Sequence, residues 1–101
     1  MKKIINGKMY NTETAHQVDM WSNGVACRDF RQCCEMLYRK KTGEFFIHGW
    51  GGPMSKYAES QGNEISGSEK IIPITEAEAK AWLEEKGTTE AYIETFGEPE
   101  E

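Results

Sequence analysis

The sequence predicts a single α+β domain over residues 1–97, an antiparallel sheet of two β-hairpins and a short edge strand packed against C-terminal helices. Three observations carry this. Asn6-Gly7 lies between the short apolar runs Ile4-Ile5 and Met9-Tyr10, and Asn-Gly tolerates the positive φ that a type I′ hairpin turn needs at both central positions. Cys34, Met36 and Tyr38 alternate with Glu35, Leu37 and Arg39, and the chain passes through Lys40-Lys41-Thr42-Gly43 into Phe45, Phe46, Ile47 and His48. A four-residue connection ending in Gly is the signature of a hairpin closed by a type I turn and a glycine bulge. Finally, Thr75-Glu76-Ala77-Glu78 is a capping box, which starts a helix.

Between the hairpins, Thr12 or Thr14 is placed to cap a short helix through Ala15, Val18 and Trp21, ending at Ser22-Asn23-Gly24. Val25 to Gln32 has no clear period and is expected to be a loop or an irregular edge strand. The second strand of the second hairpin is bulky on both faces, with Phe46, His48 and Trp50 opposite Phe45 and Ile47, so it is expected at the centre of the sheet. Gly49 to Pro53 should end it, Met54 to Glu59 should form a helical turn, and Ser60 to Ser68 should be an exposed loop. Lys70 to Ile74 reads as the last strand, placed at an edge or terminated by Pro73, which has no N–H. In the following helix Ala79, Trp82 and Leu83 share one face, with Trp82 as the core anchor, while Glu76, Lys80 and Glu84 line the other. Lys86-Gly87 closes it, and Thr88 or Thr89 opens a shorter helix in which Tyr92, Ile93 and Phe96 pack back before Gly97. Residues 98–101 are expected to be a frayed acidic tail.

At 101 residues the chain is expected to bury about 60 to 65% of its unfolded surface, enough for one modest core. No apolar run approaches the roughly 20 residues that span a bilayer, and Met1-Lys2-Lys3 leads into no secretory core, so a cytosolic protein is expected. Three cysteines, two of them adjacent, do not form the even, spaced framework of a secreted disulfide scaffold. The net charge of -5 is unevenly distributed. Residues 1–56 hold nine Lys/Arg against five acids, or +4, and residues 57–101 three lysines against twelve acids, or -9. A dipolar molecule is expected, with one pole suited to nucleic-acid phosphates and the other to the basic groove of a nucleic-acid-binding protein.

No complete catalytic motif is present. Cys27, Cys33, Cys34, His16 and His48 are donor types that zinc accepts, but the five residues between Cys27 and Cys33 do not match the short-spaced ligand pairs of a zinc site. The same thiols serve equally as small core residues and the imidazoles as hydrogen-bonding groups. RNA cleavage would require His16 and His48 to meet as general base and acid beside a lysine. No cysteine sits in the context of a thiol enzyme, and Gly49 to Gly52 lacks the Gly-Lys-Ser/Thr ending of a phosphate-binding loop. Basic and aromatic residues interleave from Tyr38 to Trp50; Arg39, Lys40 and Lys41 near the hairpin tip are the solvent-facing candidates for nucleic-acid contact. Lys2, Lys3 and Lys8 make the first hairpin a second basic element.

Several segments together resemble a small module of Gram-positive bacteria and their phages and plasmids, similar to modules in type II-A anti-CRISPR proteins. They are Lys3 to Ala15, Trp21-Ser22-Asn23-Gly24, Leu37 to Phe46, Gly51-Gly52-Pro53-Met54-Ser55-Lys56-Tyr57 and Lys70 to Ile74. The resemblance covers most of the chain. It implies a partner, an RNA-guided type II CRISPR effector nuclease or its guide-RNA complex, and inhibition by binding without catalysis or cofactor in the cytoplasm of a bacterial host. An effector of this kind holds guide and target in deep basic channels, which Glu76, Glu84, Glu85, Glu90 and Glu94 could enter as phosphate mimics. Guide-RNA binding or cleavage, with the hairpin lysines as contacts, is the first alternative, and a structural or regulatory module of a mobile element the second.

Overall fold

A computed structural model of the protein describes residues 1–24, 29–62 and 64–100. The described elements are β1 (Lys2–Ile5), β2 (Lys8–Asn11), β3 (His16–Ser22), β4 (Cys33–Arg39), β5 (Phe45–Gly51), β6 (Glu59–Gln61), β7 (Glu64–Ser66), β8 (Ser68–Ile74), α1 (Glu76–Glu85) and α2 (Thr89–Phe96). Strands β3-β4-β5-β8 form an antiparallel sheet in that order, while β1-β2 and β6-β7 are separate two-stranded ribbons. The α+β class and the helices packed on the sheet are as expected. The first hairpin, however, lies on the main sheet as its own layer. No described helix is long and apolar enough to cross a membrane.

Strand alternation divides the core in two. Leu37, Phe45 and Ile47 face α1 and α2, where Ala79, Trp82, Leu83 and Ala91 complete one cluster. Tyr38, Phe46 and Ile71 face the other way and are covered by Tyr10 of the β1-β2 ribbon. Leu37 and Phe46 are both 0% exposed, and burying a side chain of this size contributes about 1.5–3 kcal/mol. Tyr10 meets Phe46 edge-on at 5.5 Å and Tyr38 stacks on Phe46 at 5.1 Å, the offset geometries that aromatic quadrupoles favour. The order of layers is therefore ribbon, sheet, helices.

The local signals at the two hairpin turns hold. Asn6 and Gly7 take φ of 52° and 79°, and Gly43, at φ 93°, donates its N–H to the Lys40 carbonyl at 2.9 Å. β5 is central and β8, with Pro73, is an edge strand. The capping box of α1 is complete, with Glu78 N–H donating to Thr75 Oγ1 at 3.1 Å and Thr75 N–H to Glu78 Oε1 at 3.0 Å.

Three expectations are corrected. The helix from Thr12 or Thr14 to Trp21 is instead a turn followed by β3. Asn11 closes the turn, its carbonyl accepting from Ala15 and its side chain from Glu13. A bulge between Gln17 and Asp19 lets Val18 join Trp21 against the helix-side core, and a bulged strand thereby reproduces the three-residue spacing of a helix. β5 continues through Gly49 and Trp50 and ends at Gly51, inside the Gly49 to Pro53 segment expected to end it. Residues 53–57 form successive turns and Glu59 already belongs to β6. The expected loop from Ser60 to Ser68 is largely the β6-β7 hairpin, turning at Gly62 with φ 61°, followed by the start of β8. Part of the expected loop at Val25 to Gln32 lies outside the described residues; 29–32 form a turn.

Asp19, at the bulge, fixes α2 to the sheet. Its Oδ2 accepts from the Thr88 N–H at 2.7 Å and Oγ1 at 3.2 Å, while Thr88 Oγ1 caps Ala91 N–H at 3.2 Å. Asp19→Ala should cost about 1–2 kcal/mol, combining lost capping with a lost charge-assisted bond. Urea unfolding at neutral pH measures it, and far-UV circular dichroism should show lost helix but an intact sheet.

Candidate functional site

The six basic candidates do not form one free patch. The two hairpins bring Lys8 and Lys40 onto Glu44 at 3.4 and 3.6 Å, and the Lys40 ammonium lies 4.2 Å from the Tyr10 ring centroid, a cation–π contact. Burial opposes ionisation of Glu44, but Lys40 and Lys8 outweigh it and hold the carboxyl below its ordinary range. Arg39 lies 5.8 Å over Phe45. Lys2, Lys3 and Lys41 make no ion pair with a described residue. The basic surface is thus partly neutralised within the molecule.

The acidic candidates are arranged differently. Glu76, Glu84, Glu85, Glu90 and Glu94 are all exposed on α1 and α2. Glu76 reaches Lys80 at 4.0 Å, whereas the other four pair with no described residue. The lysines that could balance them are engaged elsewhere, Lys80 near the Phe96 ring and Lys86 turned inward to Glu35. Neither helix has a basic residue in its last turn. Acids at a helix C-terminus oppose the macrodipole, where a cation would contribute about 0.3–1 kcal/mol. Glu84, Glu85 and Glu94 therefore do not serve helix stability. Because the ribbon and the helices pack on opposite faces of the sheet, the two charge poles are held apart by the sheet itself.

Beneath the helices lies a polar centre that sequence reasoning did not single out. Glu35 is 1% exposed. Its Oε1 accepts from Trp82 Nε1 at 3.1 Å and from Lys86 Nζ at 2.7 Å, while Oε2 meets Lys56 Nζ at 2.6 Å and accepts a short bond from the Tyr57 hydroxyl. Burial would raise its pKa, but Lys56, Lys86, Tyr57 and Trp82 together lower it to about 2. Burial and the adjacent carboxylate push the Tyr57 hydroxyl well above its ordinary range, and burial together with Glu35 pushes the Cys33 thiol up. With four donors on two oxygens and almost no exposure, this carboxylate is a structural tie among sheet, α1 and the 53–57 turns. The one signal in the sequence was period: Glu35 shares a strand face with Leu37.

Among the described residues the metal and nuclease candidates are not assembled. Adjacent Cys33 and Cys34 point to opposite faces, and no three His, Cys, Asp or Glu side chains among the described residues cluster as metal ligands would. Cys27 lies outside the described residues. His16 and His48 are separated by β4 and by three register positions, His16 opposite Arg39 and His48 opposite Met36. His48 instead meets Glu69, with Nε2 and Oε2 3.1 Å apart, and tilts against Trp50 at 5.1 Å. No protein-family model matches the chain, and neither does any curated protein or solved structure.

Proposed function

We propose that the chain is a binding module that fills a basic nucleic-acid groove of a partner protein with the acidic layer of α1 and α2, performing no reaction of its own. The carrying observation is the exposed set Glu84, Glu85, Glu90 and Glu94, which has no counter-charge among the described residues and is set on helices anchored to the sheet through Glu35 and Asp19. Such a surface presents spaced negative charges at low reorganisation cost, which favours rapid and specific encounter with a cationic channel. The resemblance to type II-A anti-CRISPR modules narrows the partner to a type II RNA-guided DNA nuclease, met in the host cytoplasm with or without its guide RNA. Guide-RNA contact through Lys2, Lys3 and Lys41 is the second reading, favoured by their having no ion pair with a described residue.

Co-elution with the nuclease, with and without guide RNA, and inhibitor titration across salt concentrations test this. Glu84→Lys, Glu85→Lys, Glu90→Lys and Glu94→Lys combined should weaken binding at least 100-fold with little change in urea midpoint, whereas Lys2→Glu, Lys3→Glu and Lys41→Glu combined should leave it nearly intact. The opposite pattern would assign the guide RNA as partner. Inhibition far below stoichiometry with a shortened guide RNA would establish turnover, and failure to co-elute under any condition would reduce the chain to a structural module of a mobile element.

A further inference from the structure

The face of the sheet opposite the helices is only partly covered, because the β1-β2 ribbon seats on Tyr38, Phe46 and Ile71 and stops short of the other end. There a cleft of about 440 Å³ opens over His48 and Trp50, walled by Glu69 and Gln32. Its rim is backbone. A Cβ on Gly52 would come within 2.6 Å of the Phe30 carbonyl oxygen, and one on Gly67 within 2.3 Å of the Gly51 carbonyl oxygen. Glycines at these positions let three chain segments touch main chain to main chain, so the rim is fixed by close contact.

The chemistry of the lining is one-sided. His48 takes one oxygen of Glu69, Nε2 to Oε2 at 3.1 Å, and leaves Oε1 with no partner among the described residues. The Gln32 side-chain nitrogen donates to Cys34 Sγ at 3.1 Å, which leaves its Oε1 an acceptor without a partner among the described residues. Among the described residues no lysine or arginine lines the cleft. An aromatic floor, one carboxylate and an amide oxygen suit a ligand that is flat, positively charged and rich in donors. A guanidinium has this form, stacking on an indole face while directing several N–H groups to carboxylate and carbonyl oxygens. An alkylammonium presents a compact point charge and cannot satisfy the stack and the in-plane acceptors together.

We infer that the cleft formed by Trp50, His48, Glu69 and Gln32 is a guanidinium-binding site, independent of the acidic helix layer on the opposite face. Trp50 supplies the stacking surface, Glu69 the counter-charge and Gln32 a second acceptor; His48 is a positioning residue that holds Glu69. The group can arrive as a free guanidino compound or as an arginine side chain of a protein.

The full chain, ¹⁵N-labelled, is titrated with free L-arginine, with a capped Gly-Arg-Gly peptide and with a capped Gly-Lys-Gly peptide, following the Trp50 indole N–H resonance assigned through Trp50→Leu. Arginine ligands should shift this resonance in a saturable way, at least tenfold more tightly than the lysine peptide. Glu69→Gln, an exposed change on an edge strand, should weaken arginine binding at least tenfold while preserving the thermal midpoint. Tighter binding of the capped peptide assigns a protein source, and tighter binding of the free amino acid a small-molecule source. Equal affinity for the lysine peptide, no saturation at millimolar ligand, or an unchanged affinity in Glu69→Gln would overturn the assignment.

Discussion

Glu35→Gln is expected to lower the unfolding free energy by about 3–5 kcal/mol, the cost of removing one partner from a buried charged network. The amide keeps the shape but returns one oxygen where there were two, and its NH₂ confronts the donors of Lys56 and Tyr57 or those of Trp82 and Lys86. Trp82 and Lys86 lose the charge that ties α1 to β4. For a domain of this size, with a total stability of about 5–15 kcal/mol, the change consumes much of the margin. The same variant carries a pH signature. The Glu35 carboxyl is held at about 2 against an ordinary 4.5, so its folded-state pKa is depressed. Its contribution is fully present above pH about 4.5 and is lost as the pH falls towards 2. Urea midpoints at pH 7, 4.5 and 2.5 should therefore fall steeply for the natural chain and less steeply for Glu35→Gln over the acid interval. Equal midpoints at pH 7 would refute the tie.

Gly49→Ala should be comparably damaging, although it adds only a methyl group. Gly49 pairs with Glu35 across β4 and β5, and a Cβ there would lie 1.9 Å from the Tyr57 Oη and 2.0 Å from its Cζ. Tyr57 is 2% exposed, its backbone carbonyl accepts from the Ser68 hydroxyl, and its ring has nowhere to retreat inside the fold. The methyl must expel it, which removes a buried aromatic and one donor from Glu35 at a cost of about 3–5 kcal/mol. A double-mutant cycle isolates the cause. In a Tyr57→Ala background the space is already empty, and Gly49→Ala should then cost less than about 1 kcal/mol, since alanine is no worse than glycine in a strand. Additive costs in urea unfolding would show that some other contact excludes the methyl.

These two residues also show where sequence reasoning succeeds and where it stops. Turns and caps are written locally: Asn6-Gly7, Lys40 to Gly43 and Thr75 to Glu78 each specify their geometry within four residues, and all three form as expected. The β3 segment misled because a bulge mimics helical spacing, and a bulge is set by the partner strand. Gly49 to Gly52 end β5 as expected, but a glycine's need for space is visible only when the neighbour that fills it, Tyr57 or the Phe30 carbonyl, is known. Among the site residues, the acids of α1 and α2 are exposed as the helical pattern implied. The basic set was overestimated because Glu44 draws in Lys8 and Lys40 from two hairpins far apart in sequence. Glu35, joined to Lys56, Tyr57, Trp82 and Lys86, depends on contacts across up to 51 positions, and no local pattern encodes them.

The borders of the main sheet have a consequence for how this molecule meets others. One outer strand, β3, is interrupted by its bulge, and the other, β8, carries a proline that removes a main-chain donor. Irregular or donor-poor margins discourage a foreign chain from adding on as a further strand. Recognition is thereby steered to the two broad surfaces, where side chains rather than main-chain amides decide the match.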